Sequence, residues 1–295
     1  MTAGEARRPR RLSLAGLRLD RWALLAIPAV LLLVASFLIP LAAMAIRSVT
    51  DPPGAGLANY QQFFGGPAYV RILGNTFWIA LLATVTCLVV GYPFAYLMTI
   101  VTGRIAGLLL IAVLLPFWSS LLVRTFAWQV ILRDTGIINR FLLDQGLITE
   151  PLTLIRTTFG VILGMSHILL PFMVLPLYAV MRRIDPEFGR AAANLGATPA
   201  TAFLRVFVPL SLPGVLAGCL LVFVLALGFY ITPALLGGLK DQMISQLIVQ
   251  QIEQRLDWGF GTAMSVLLVG ITLVILFIAS RVVRIQDVFG SVIED

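Results

Sequence analysis

The sequence predicts an all-α protein that crosses a membrane six times, and three observations carry that prediction. Hydrophobic residues make up 59% of the chain and charged residues 12%, against about 45–50% and about 25% in a soluble domain. Six apolar stretches each reach the roughly 20 helical residues needed to cross a hydrocarbon core of about 30 Å. Basic residues gather near the ends of those stretches, with one exception, Arg124. The net charge of +7 has no basic face behind it, because 20 of the 21 basic residues are Arg scattered between apolar runs. Nucleic acid is therefore not expected as a partner, and membrane topology accounts for the charge.

The spans are expected over residues 22–46, 72–100, 105–130, 158–181, 208–231 and 262–283. The first follows "RRPRR" and carries "AAMA" near its end, a possible cleavage pattern. Its apolar run exceeds the roughly 7–15 residues of a signal-peptide core, so it is read as an uncleaved span. Residues 1–21 form a basic N-terminal segment, 22–283 the membrane domain and 284–295 a tail. Positive residues are retained on the cytoplasmic side. With the N-terminus inside, 13 basic residues fall in cytoplasmic segments and 7 outside, which places both termini in the cytoplasm. Arg124, within the third span, is read as snorkelling to the outer interface, the alternative being a pore-mouth position. Trp22, Trp78, Trp118, Trp128 and Trp258 sit near span ends, and most are read as interfacial belt residues.

Residues 185–208 connect spans four and five on the cytoplasmic side and are unlike either neighbour. Asp185 suits an N-cap, Pro186 the first helical position, and Gly196 a left-handed helix end. Thr198-Pro199 repeats the start signal, so two short helices meet at Gly196. Phe188, Ala191, Ala192 and Leu195 form an apolar face, with Glu187, Arg190 and Asn194 on another. Small alanines allow close approach by another protein; a plain surface connector is the competing reading. Pro209 and Pro213 remove backbone donors at the start of the fifth span, so an irregular entry is expected there. On the outside, "INRFLLDQGLI" and "DQMISQLIVQQIEQRLDWGF" read as amphipathic interfacial helices that either brace the spans or receive a partner.

No catalytic pattern emerges. The chain has no Gly-x-x-x-x-Gly-Lys-Ser/Thr loop to cradle ATP, and neither His-Glu-x-x-His nor Gly-x-Ser-x-Gly occurs. Ser166 and His167 are helix neighbours roughly 100° apart and do not face one another. His167 either lines a pathway or makes an interhelical hydrogen bond. Cys87 and Cys219 lie inside apolar runs and read as packing residues, so neither a disulfide nor a metal site is expected.

At this point the residues carry a resemblance. Ala191-Ala192, Gly196, Val206 and Val208-Pro209 fall on the spacing of the cytoplasmic loop of ABC-importer permeases, Glu-Ala-Ala, three residues, Gly, nine residues, Ile, any residue, Leu-Pro. Val replaces Ile and Leu, and Arg190 stands where that family has Glu. "GNTFWIALLATVTCLVVGYPFAYLM", "PFWSSLLVRTFAWQVILRDTGIINRFL", "HILLPFMVLPLYAVMRRID" and "GFYITPALLGG" resemble the spermidine/putrescine branch, over about residues 70 to 283.

The resemblance implies a coupling helix between spans four and five that docks on an ATPase subunit. Glu187, Arg190, Ala191, Ala192, Asn194, Gly196, Ala197, Val206 and Pro209 would serve that contact. It also implies a second homologous permease, expected as a heterodimer partner, an extracytoplasmic solute-binding protein and a small-molecule substrate. ATP and Mg would be held by the ATPase and no cofactor by this chain, which would reside in a bacterial inner membrane. In polyamine-carrying members an acidic residue is expected within the glycine-led motif of the fifth span, yet here the residues are Gly228-Phe229-Tyr230. Trp118, His167, Phe229 and Tyr230 are the candidate pathway residues. Aromatic faces there would pass a cation, and the same neutral lining would pass an amino-acid derivative such as an opine. An ion-coupled secondary transporter is disfavoured, since no acidic residue lies deep in a span. A noncatalytic scaffold would leave Gly196 and the alanine face without a purpose.

Overall fold

The structure is a computed structural model that describes the backbone of residues 21–51 and 56–290 and the side chains of residues 27–51 and 56–281. The N-terminal segment expected over 1–21 lies outside the described residues apart from the backbone of Arg21. Of the tail expected over 284–295, only helical backbone to Gly290 is described. The side chains of Trp22 and Arg284 also lie outside.

Thirteen α-helices follow in order among the described residues: α1 (Arg21–Thr50), α2 (Ala58–Gly65), α3 (Pro67–Ile100), α4 (Gly103–Leu114), α5 (Leu121–Leu132), α6 (Ile137–Asp144), α7 (Thr158–Met181), α8 (Pro186–Asn194), α9 (Pro199–Ala202), α10 (Val208–Leu227), α11 (Ile231–Leu236), α12 (Ile244–Val249) and α13 (Trp258–Gly290). Among the described residues there is no strand. Five helices are long and apolar enough to cross a membrane: Ile27–Thr50, Pro67–Ile100, Thr158–Met181, Pro199–Leu227 and Trp258–Arg281. The expected third span is a bent pair of helices, which makes a sixth crossing if the pair is one broken span. Residues Gly103–Trp118 and Leu121–Asp144 meet at 98°. Helix α4 tightens into a 3₁₀ turn over Leu115–Trp118, and Ser119 and Ser120 take extended backbone. Pro116 withholds an N–H, and the Ser119 hydroxyl donates to the Pro116 carbonyl at 2.7 Å, satisfying an acceptor at the broken end.

Helices α3, α7 and α10 pack together as the centre of the bundle. Their core is Ile79, Ala83, Cys87 and Met98 of α3, Met165, Leu169, Met173 and Leu177 of α7, and Val222 and Ala226 of α10. Close approach is set by small residues, as expected where lipid removes most of the hydrophobic drive between helices. A Cβ on Gly218 would stand 2.8 Å from Met173 Sδ and 3.2 Å from its carbonyl oxygen, and one on Gly91 would stand 3.0 Å from Met173 Cγ. Met173 therefore fills the gap that two glycines on different helices leave open. Helix α1 lies at the periphery against α13, where Leu32, Leu33, Phe37 and Ile39 are exposed as lipid-facing side chains would be. The solvation requirement of backbone in hydrocarbon explains why the long apolar stretches are helical.

Candidate functional site

At one end of the bundle, residues 185–209 form the expected pair of short helices. Asp185 Oδ1 accepts from the Glu187 N–H at 2.9 Å, capping α8. The helix ends at Gly196, whose φ of +86° is the left-handed conformation that a β-carbon disfavours. Its N–H donates to the Ala193 carbonyl, and the Ala197 N–H donates to the Ala192 carbonyl at 3.0 Å. Those are the paired bonds of a Schellman ending, so the residues flanking Gly196 seal α8. Thr198 Oγ1 then caps α9 by accepting from the Thr201 N–H.

This segment turns its surface outward. None of α8, α9 or the turn after them has a buried residue, and Phe188 is 54% and Leu195 90% exposed. Glu187, Arg190, Ala191, Asn194, Gly196 and Pro209 are exposed, while Ala192, Ala197 and Val206 are half-buried. Arg190 pairs with Glu187 at 3.4 Å with both side chains largely in solvent, so the pair contributes little to stability.

The irregular entry to the fifth span is a π turn over Phe203–Phe207, where the Val208 N–H bonds back to the Phe203 carbonyl. Pro209 explains it. A proline ring clashes with the carbonyl four residues earlier, and widening the preceding turn relieves the clash. The turn also aims Phe203 and Phe207 at α3, where Tyr96 meets each ring edge-on at 5.0 Å. Tyr92 adds a contact to Phe203 at 6.3 Å and a hydrogen bond from its hydroxyl to Ser211 at 2.9 Å. An aromatic clamp therefore ties the exposed connector to α3. Its two tyrosines lie more than 100 residues from its two phenylalanines, which is why the sequence alone did not reveal it.

At membrane depth, Trp128 of α5 donates through Nε1 to His167 Nδ1 of α7 at 3.3 Å, the rings lying edge-to-face at 5.6 Å. His167 thus makes an interhelical hydrogen bond, and Nδ1 as acceptor places the imidazole proton on Nε2. Trp128 is correspondingly a buttress of α7 and not a belt residue. Ser166 Oγ has no partner, so no Ser–His pair exists. Arg124 lies one turn before Trp128 on the same face of α5. Its Nε and Nη1 are shut from solvent without a hydrogen-bond partner.

The other pathway candidates are not gathered into one site. Trp118, 77% exposed at the break after α4, touches only the Phe117 ring among the aromatic contacts of the described residues. Phe229 and Tyr230 follow the far end of α10, opposite α8. The Phe229 carbonyl accepts from the Ser245 hydroxyl. Tyr230 lines a cleft of about 210 Å³ with Gln242, Gln246, Gln250 and Gln254. The sequence does contain a signal for that cleft, four glutamines spaced four apart.

The connector around Tyr230 is folded onto the bundle. Buried Asp241 accepts from the Thr158 hydroxyl and from the Gly238 N–H at 2.9 Å. Asn75 donates to the carbonyls of Lys240 and Gln242, both at 2.9 Å, and the Ile244 N–H donates to Thr76 Oγ1 at 2.8 Å.

No family model matches the chain. It is 38% identical over 231 residues to the spermidine/putrescine transport system permease protein PotB of Escherichia coli (strain K12), covering 77% of this chain and 84% of the relative. An inner membrane ABC transporter permease protein of the same organism, YdcU, is 34% identical over 241 residues, covering 77% and 75%. Among solved structures, a chain of a bacterial alginate ABC transporter, in complex with an alginate pentasaccharide-bound periplasmic protein, superposes with a TM-score of 0.71. That match spans 89% of this chain and 94% of the other at 19% identity, and it speaks to the fold.

Proposed function

Because the chain belongs to the spermidine/putrescine branch of ABC-importer permeases, we propose that it forms half of the translocation pathway of an ATP-driven polyamine importer. It is a transport component and not an enzyme. The observation that carries the reading is the connector 185–209, a rigidly capped surface helix with an unpartnered apolar face, tied by aromatic rings to α3. In the proposed mechanism, an ATPase subunit holding ATP and Mg receives α8, with Ala191 and Ala192 allowing close approach and Glu187, Arg190 and Asn194 at the polar margin. Nucleotide-driven closure of two ATPases moves each docked helix and rocks the spans between inward-open and outward-open packing. A second, homologous permease supplies the other half of the pathway, in a heterodimer. A binding protein delivers substrate at the end of the bundle opposite α8. The chain resides in a bacterial inner membrane with both termini in the cytoplasm.

The orientation is tested by labelling in a background without Cys87 and Cys219. Cysteines at Thr149 and Lys240 should react from outside and those at Gly103 and Thr198 should not; the reverse pattern overturns the topology. Replacing Gly196 with Val tests docking. The protein should insert normally, lose the ATPase on purification and lose uptake.

A second reading concerns the substrate, and Arg124 favours it. No acidic residue lies deep in a span, and an unpaired cation at membrane depth suits a solute bearing a carboxylate, such as an amino-acid derivative. Calorimetry on the cognate binding protein separates the two. Binding of putrescine or spermidine supports the polyamine reading, while exclusive binding of carboxylate-bearing solutes supports the second and leaves the importer assignment standing.

A further inference from the structure

The glutamine cleft beside Tyr230 belongs to neither the docking helix nor the bundle core, and its construction is specific. Helix α12 turns Ile244 and Leu247 into the bundle, and Gln251 of the following π turn is also buried. The opposite side presents Gln246, Gln250 and Gln254 to the cleft, joined by Gln242 and Tyr230. Four residues of α-helix overshoot a full turn and four of the wider π turn fall short of one, so the turn over Gln250–Gln254 brings Gln254 back over Gln246. The Gln246 amide is fixed because its Oε1 accepts from the Met243 N–H at 3.0 Å, and that oxygen keeps a second lone pair. Neither Arg nor Lys lines the cleft, and neither does any carboxylate.

We propose that Gln246, Gln250 and Tyr230 form a subsite for the terminal ammonium groups of a linear diamine, an inference that rests on the polyamine reading above. The geometry matches that class. Residues one turn apart on α12 are separated by about 6 Å along the axis, four rises of about 1.5 Å. The nitrogens of an extended 1,4-diamine are also about 6 Å apart, across five single bonds of about 1.5 Å in zigzag. Each ammonium has three donors and each amide oxygen accepts, while the Tyr230 ring offers a face within about 6 Å of a centroid. Neutral amides hold a dication more weakly than carboxylates would, so the substrate can move on toward the spans. A cleft of about 210 Å³ suits a solute of six heavy atoms, being smaller than the roughly 300 Å³ at which drug-sized pockets begin.

The test uses the whole transporter in proteoliposomes, with saturating binding protein, reading uptake of radiolabelled 1,4-diaminobutane and ATP hydrolysis together. Gln246→Leu combined with Gln250→Leu should lower uptake at least about tenfold while binding-protein-stimulated hydrolysis stays within about twofold. Gln250→Glu, which keeps the shape but adds a negative charge, should hold the diamine more tightly and lower the KM of uptake at least about threefold. Unmodified transport should favour 1,4-diaminobutane over 1,6-diaminohexane, and the double variant should lose that preference. Unchanged uptake in the double variant overturns the subsite and leaves polyamine import standing. Collapse of stimulated hydrolysis in parallel with uptake also overturns it, because the face would then be a binding-protein contact. If the unmodified transporter moves no diamine at all, both the subsite and the polyamine reading fail.

Discussion

Two connectors in this chain share a plan and differ in what they touch. Residues 186–208 run helix, Gly196, short helix, π turn and then span α10; residues 231–258 run helix, Gly237-Gly238, short helix, π turn and then span α13. The first has no buried residue in its helices or its turn. The second buries Asp241, Met243, Ile244, Ser245, Leu247 and Gln251 and is stitched to α3 and α7 by hydrogen bonds from Asn75, Thr158 and the Ile244 N–H. Local chemistry is therefore not what distinguishes an exposed connector from a folded-in one. The distinction is whether the apolar face finds a partner within the chain.

The sharpest way to break this comparison is to damage the caps of both connectors. Gly196→Val forces a β-branched residue into a left-handed conformation at about 1–3 kcal/mol, confined to an exposed segment. Uptake should fall more than about tenfold with the thermal unfolding of the detergent-solubilised permease unchanged; a matching loss of stability would show that the connector is part of the core after all. Asp241→Ala should do the opposite. It leaves the Thr158 hydroxyl and Gly238 N–H unpaired in a buried place, at about 1–3 kcal/mol per orphaned group. The melting temperature of the isolated subunit should drop by several degrees before any partner is added.

A smaller effect is expected at the clamp. Tyr96→Leu removes two edge-on contacts worth about 0.5–1.5 kcal/mol each while keeping apolar bulk. The ATPase should still copurify, but uptake per ATP hydrolysed should decline; an unaltered ratio would mean the rings only pack. The smallest effect belongs to the surface ion pair. Arg190→Gln ends the 3.4 Å contact with Glu187, whose two partners are mostly in solvent, so stability should move by less than about 1 kcal/mol. Any change in ATPase affinity then reports Arg190's contact with the partner, in the position where the family resemblance expects Glu.

The amino-acid sequence alone determined the class, the apolar stretches and the local shape of the connector 185–209, because each rests on local or compositional physics. Apolar length sets spans, Asp185 and Thr198 set helix starts, Gly196 sets the left-handed stop, and Pro209 disfavours regular winding into α10. Those effects act within a few residues and need no knowledge of the fold. Tertiary structure decided everything that depends on who faces whom: the 98° break that splits the expected third span at Ser119 and Ser120, the Trp128–His167 bond that ties α5 to α7, the unpaired guanidinium of Arg124, and the meeting of Tyr96 with Phe203 and Phe207. Nearly every side chain in a span is apolar or aromatic, so hydropathy carries almost no information about which helix face meets which neighbour. Only packing, set by glycines such as Gly91 and Gly218 against Met173, fixes those pairings.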